Sequence, residues 1–287
     1  MTRHKIDSAG HREHLCMDQK GTKTNQAPVT ERSATPMRIR RSSHRLFASA
    51  AVLIAISVFV GFSRTYYLHR WFHKPDLTLF LHVHAAAMSL WIALFLIQTL
   101  LVQANQIEIH RKLGILGIVS AALVPIFGVS ATVIAARREV LAHAQDVWIV
   151  IVVLALELTQ MLLFAGFAVG GFFFRKRVDF HKRLMLLATL SMLPNAIVRI
   201  IRVPSFVIPL IIWSLLIAVV VLLDRLAQRK VHPVFSQWAL IQVVLLWLAF
   251  LVGTSVAWQH FAIRVVGEGR LLSILPAAIP TEPFPNS

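Results

Sequence analysis

The sequence predicts an all-α protein, a polytopic transmembrane helix bundle of about seven spans with its N-terminus in the cytoplasm. Three observations carry this. Apolar residues make up 57% of the 287-residue chain against 15% charged, with a mean hydropathy of +0.69, and soluble domains carry roughly 25% charged residues. The apolar residues gather into runs nearly free of charge, and about 20 such residues in a helix cross a hydrocarbon core of roughly 30 Å. The basic residues, summed over alternate connections, fall more on one side of the spans than on the other, most of the excess lying in the N-terminal tail, which the positive-inside rule places in the cytoplasm. A soluble enzyme is excluded, and the lipid bilayer is the first partner.

Residues 1–45 mix charge with Ser, Thr and His without hydrophobic periodicity, and are expected to be a disordered basic tail. The first apolar run, 46–62, begins too deep in the chain for a cleaved signal peptide and reads as an uncleaved anchor. Further runs follow at 79–104, 113–136, 147–174, 184–201, 206–223 and 238–258, so the bundle is expected over 46–258. Only Arg202 to Ser205 separates the fifth run from the sixth, which leaves a re-entrant piece as the alternative to two full crossings. Residues 259–287, with four prolines from Pro276 onward, are expected to form an irregular tail.

Lys plus Arg is 29 and Asp plus Glu 13, a formal charge of +16. Topology explains this excess without nucleic acid. With Arg199 counted in the break that follows it, the N-terminal tail and the second, fourth and sixth loops hold 20 basic residues against 9 on the other side. That places the N-terminus inside and the C-terminus outside the cell (inner or plasma) membrane. A single cysteine, Cys16, excludes an intramolecular disulfide and a cysteine-held metal cluster.

Polar residues deep in the runs are the candidates for function, because an ionised side chain at the bilayer centre costs about 2.5 kcal/mol or more. Glu157 lies about ten residues from the nearer end of the fourth run, with His143, Asp146 and Gln160 near the same side of the helix. In the fifth run His181, Met185, Ala188, Met192, Asn195, Arg199 and Arg202 step by four and three residues and line one face. Arg199 and Arg202 are expected to reach outward to the headgroups, whereas Asn195 sits at the level of Glu157, and Pro194 opens a carbonyl beside it. Glu157 is expected to be buried with Asn195 or His84 as its neighbour. It is either an interhelical clamp or the proton site of a small-solute transporter. His82 and His84, two residues apart, point about 200° from one another and cannot form one metal pair. In the third run Gly117, Ala121, Pro125, Gly128 and Thr132 fall on one side, where helices can approach closely or a planar cofactor can lie.

The segments Arg64 to Leu68, His84 through the His110 to Gly114 run, and Asp179 to Thr189 resemble a group of uncharacterised bacterial seven-span membrane proteins. The resemblance covers roughly residues 60–200 and implies span placement without an activity. The order of histidines is also faintly similar to the di-haem transmembrane b-type cytochromes, in which four consecutive helices each supply one histidine. That likeness implies haem b, with His84 (or His82) and His143 as iron ligands toward the outer face, His110 and His181 toward the inner face, and a quinone or other membrane redox partner. His110, His143 and His181 lie at or beyond the span ends, beside Arg and Lys, where that family holds its ligands within the spans. Electron transfer through b-type haem, proton-linked transport centred on Glu157, and a non-catalytic assembly or sensing role are the readings the sequence leaves.

Overall fold

The computed structural model describes residues 34–73, 77–142, 147–203, 205–228 and 232–267. It contains helices and no strand among the described residues, as expected where backbone polar groups must be satisfied without water. The helices are α1 (Ala34–Phe62), α2 (Leu79–Gln103), α3 (Ile107–Leu141), α4 (Val147–Phe173), α5 (Val178–Ser191), α6 (Leu193–Ile201), α7 (Val207–Gln228), α8 (Pro233–Thr254) and α9 (Val256–Gly267). A short π-helical segment, Ser63–Tyr67, follows α1. Among the described residues six helices are long and apolar enough to cross a membrane; α5 and α6, bent by 40° at their break, make a seventh span if they count as one. The chain is a multi-pass helical membrane protein.

Two boundaries differ from the sequence reading. Helix α1 begins at Ala34, inside the segment expected to be irregular, because once the apolar run from Leu46 is helical the preceding turns can propagate from it at little cost. Past the seventh run, Val256–Gly267 is helical as well. It turns away from α8 at Ser255, whose extended backbone ends that helix, and lays Ala262 and Val266 on Ala136, Ile151 and Leu154 of α3 and α4. Trp258 fixes it there by donating from Nε1 to the Ile151 carbonyl at 3.0 Å.

Helix α4 is the centre of the bundle: half of its most apolar window is buried, against 17 to 33% for the other single-helix spans. It packs on α3, α5 and α8. Small residues set these approaches, as is usual where lipid removes a hydrophobic drive between helices. A Cβ on Gly253 of α8 would lie 3.3 Å from the Val152 backbone of α4, and one on Gly61 of α1 only 2.8 Å from the Ala196 carbonyl oxygen of α6. Gly61 thus lets α1 lie directly on α6.

The α5–α6 break follows from Pro194. Proline has no N–H to give to the carbonyl four residues back, and that acceptor is Leu190. Trp213 of α7 takes the place of the missing donor, its Nε1–H meeting the Leu190 oxygen at 2.8 Å in the buried core. Gln242 of α8 donates to the Leu187 carbonyl at 3.3 Å one turn earlier. The break is therefore held open by side chains of two other helices. The single polar face expected along 181–202 does not run straight: it turns at Met192, and Arg202, with φ of 55°, ends α6 in the left-handed region.

Near the opposite end of α5, Arg183 and Asp224 form a two-pronged ion pair in which both residues are 2% exposed. Nε and one terminal nitrogen meet Oδ2 at 3.0 and 2.9 Å, and that same terminal nitrogen meets Oδ1 at 3.2 Å. The remaining terminal nitrogen donates to the Asp179 carbonyl at 2.8 Å. Such a planar fork suits a buried carboxylate, since every lone pair it leaves unmet would be expensive.

Candidate functional site

A cavity of about 370 Å³ lies between α4 and the corner made by α6 and the start of α7. Four polar side chains line it: Glu157 and Gln160 from α4, Asn195 and Arg199 from α6. Each helix presents its pair at a spacing of three or four residues, which sets both members on one face. Leu156, Val198, Phe206 and Leu210 supply apolar wall. The cavity exists because the 40° bend carries α6 away from the line of α5. Broken helices of this kind form the central solute sites of many membrane carriers.

Glu157 is half-buried and accepts a hydrogen bond on Oε2 from Thr132 of α3. The same Thr132 hydroxyl lies 3.0 Å from the Gly128 carbonyl, so the acid is tied to the small-residue face of α3. Arg199 points inward. One of its terminal nitrogens donates to the Asn195 carbonyl at 2.9 Å, and its guanidinium lies over the Phe62 ring of α1, 4.4 Å from the centroid. The expectation that Arg199 reaches out to the headgroups is corrected: the bend turns this face of α6 toward α1 and α4, while Arg202, outside the helix, is exposed. Glu157 and Arg199 interact electrostatically, yet no hydrogen bond or close ion pair joins them among the described residues. Opposite charges in a low-dielectric surrounding attract strongly, so a gap between them is set by the helices that carry them.

Gln160, 2% exposed, has its Oε1 buried with no hydrogen-bond partner among the described residues. Buried polar atoms are nearly always satisfied in folded proteins. An unmet acceptor on the wall of a cavity is thus a position where a ligand or water supplies the donor.

The histidines fall elsewhere. His84 holds the Phe127 carbonyl of α3 through Nδ1 at 3.1 Å and feels the charge of Arg199. His82 is exposed and meets the rings of Tyr66 and His69, with centroids 5.9 and 6.4 Å away. His110 of α3 and His181 of α5 face one another with ring centroids 6.3 Å apart. His181 Nδ1 lies 2.8 Å from the Gly171 carbonyl, and His110 Nδ1 is buried with no close hydrogen-bond partner among the described residues. His143 and Asp146 lie outside the described residues, so the outer histidine pair has one described member. His82, His84, His110 and His181 do not line the cavity.

The sequence did not mark Asp224 or Thr132 as partners of the charged residues they hold. Asp224 ends an apolar run where a loop charge is ordinary, and Thr132 stood among small packing residues. Compared with protein-family models, with curated proteins and with solved structures, the chain matches none.

Proposed function

We propose that the protein is a proton-linked carrier of a small polar solute, with the α4–α6 cavity as its binding site and Glu157 as the residue that takes up and releases the proton. The observation that supports this is the facing of Glu157 and Arg199 across one cavity without a direct ion pair. Two such charges set apart inside a bundle leave each other's charge partly uncompensated. A solute can complete the balance, a proton on Glu157 changes it, and the conformation that binds either differs in energy from the one that does not.

The orientation belongs to the same reading. With the N-terminus cytoplasmic in a seven-span chain of the cell membrane, α4 runs from the outer to the inner face. Glu157 then stands about 15 Å below the outer end of its helix, and the cavity occupies the outer half of the bundle. Alkaline phosphatase fused after Ser287 should be active, and activity after Lys176 instead would reverse the assignment.

Proteoliposomes given a mixture of small polar metabolites under an imposed proton gradient test the function. Wild-type vesicles should accumulate one chemical class and Glu157→Gln vesicles should not. Accumulation of nothing, or equal accumulation by the variant, would count against the carrier.

One further observation favours a second reading, electron transfer through b-type haem to a quinone or other membrane redox partner. Metal–imidazole bonds of about 2 Å place two ligand rings on opposite sides of a metal with centres roughly 6 Å apart, and the His110 and His181 centroids are 6.3 Å apart. The Gly171 carbonyl engages His181 Nδ1, which leaves Nε2 for an iron, the usual division of labour in a ligating histidine. On this reading His110 and His181 hold a haem that supplies one-electron chemistry. Purified protein from haem-replete cells would then show a Soret band that His181→Ala diminishes; a spectrum without one removes this reading.

A further inference from the structure

We propose that the solute bound in the α4–α6 cavity is a small zwitterion with an apolar side chain, its anionic group at Arg199 and its protonated amine between Glu157 and Gln160. This rests on the carrier reading and adds the chemical class of its substrate.

The unmet hydrogen-bonding capacity of the cavity has two ends. A guanidinium carries five N–H donors. At Arg199 only one terminal nitrogen meets an acceptor, the Asn195 carbonyl of its own helix, among the described residues. The Phe62 ring covers the flat face of the group at 4.4 Å and offers no lone pair in the plane. The in-plane donors suit a carboxylate, whose two oxygens match the guanidinium fork. On the α4 side the capacity is of the opposite kind. Thr132 uses Glu157 Oε2, Oε1 accepts nothing among the described residues, and the buried Gln160 Oε1 has no partner. Two acceptors, one of them charged, suit an ammonium group.

Charge arithmetic favours one molecule carrying both groups. An anion alone would meet Arg199 and leave Glu157 facing a second negative charge, while a cation alone would do the reverse. A net-neutral zwitterion satisfies both ends, and its own charge separation takes the place of the ion pair the helices prevent. About 370 Å³ lies near the lower end of the usual range for ligand sites, roughly 300–1,000 Å³, which limits the solute to a few heavy atoms beyond its charged groups. Leu156, Val198, Phe206 and Leu210 leave a wall that rewards an aliphatic side chain.

Thermal unfolding of the full-length protein in detergent tests this with three ligands of one shape: leucine, its des-amino analogue 4-methylpentanoate, and its des-carboxy analogue 3-methylbutylamine. Leucine should raise Tm in a saturable manner, and each analogue should bind about tenfold or more weakly, a difference of about 1.4 kcal/mol or more. Arg199→Gln should remove the preference for leucine over the amine, and Glu157→Gln the preference over the acid. The wild-type comparison stands even if a variant does not fold. Equal binding of leucine and either analogue would overturn the zwitterion, and so would no binding of leucine. If solute accumulation in proteoliposomes still depends on Glu157, such a result leaves the carrier standing with a different substrate. If that accumulation is also absent, the carrier reading fails first.

Discussion

The indole N–H of Trp213 on α7 donates to the carbonyl of Leu190 on α5 at 2.8 Å, and this carbonyl is the acceptor that Pro194 leaves without its helical donor. A backbone defect in one helix is thereby repaired by the side chain of another. The repair lets α6 depart from the axis of α5 and open the cavity. Trp213→Phe keeps most of the buried volume and removes the donor. It should destabilise the protein by about 1–3 kcal/mol, the cost of a buried unsatisfied polar group, read as a lower Tm in detergent. An unchanged Tm would mean that water or a relaxed helix satisfies Leu190.

Gly61 controls the same region from the other side. An added methyl group would sit 2.8 Å from the Ala196 oxygen, and backbone on both helices would have to yield. Gly61→Ala should cost about 1–3 kcal/mol as overpacking. Gly114, with nothing near a built Cβ, should accept alanine without loss, so comparing the two Tm values separates close approach from loss of helix flexibility.

The Arg183–Asp224 pair predicts an asymmetry. Removing one member, as in Asp224→Asn or Arg183→Met, takes from a buried charge the other half of its two-pronged pair and should cost about 3–5 kcal/mol. Replacing both, as in Arg183→Met with Asp224→Leu, should recover much of that loss. Folded yield and Tm of the two single variants and the double variant decide it. A double variant worse than both singles would show that the pair also orders its neighbours, among them Asp179, whose carbonyl Arg183 holds.

His232, in the connection between α7 and α8, gives the pH dependence. Burial holds its imidazole below the ordinary value, and the positive charge of Arg183 adds to this against the weaker opposing pull of Asp179 and Asp224. A histidine whose value is lowered by folding is bound as the neutral form. Its contribution to stability is complete above its unfolded value of about 6.5 and is lost as the pH falls through the lower, folded value. An NMR titration of His232 should therefore have its midpoint under about 6.5, and His232→Gln should flatten part of the loss of Tm on acidification. A midpoint above that value would contradict the packing against Phe180, whose ring centre lies 5.2 Å away.

How much of this was legible in the sequence depends on the range of the interaction. Uninterrupted apolar runs locate the long helices because each carries its own signal, and Glu157 stands out because a carboxyl in such a run is rare. Pro194 marks a weak point in its helix, but whether a proline bends a helix or merely loosens it depends on what meets the freed carbonyl, and Trp213 lies 19 residues further on. Arg199 was misread for the same reason: its distance from the span end suggested the headgroups, and the bend that turns it inward is a tertiary effect. Asp224 and Arg183, 41 residues apart, carry no mark of their pairing in either local pattern.

In the carrier proposed above, Glu157 and Arg199 face a cavity that opens to each side of the membrane in turn, and cysteine accessibility reads that opening. Cys16 is the only native cysteine, so Cys16→Ser gives a clean background for single cysteines at Asn195 of α6 and Leu210 of α7, both lining the cavity opposite α4. A membrane-impermeant thiol reagent should modify both positions from the outer face of sealed right-side-out vesicles, and from the inner face of inverted ones. Leu162, fully outward on α4 at 73% exposure, should stay unmodified as a cysteine from either side because lipid surrounds it. Failure to modify Asn195→Cys and Leu210→Cys from both faces would rule out alternating access to the cavity, and would return Glu157 and Arg199 to the role of a structural contact within the bundle.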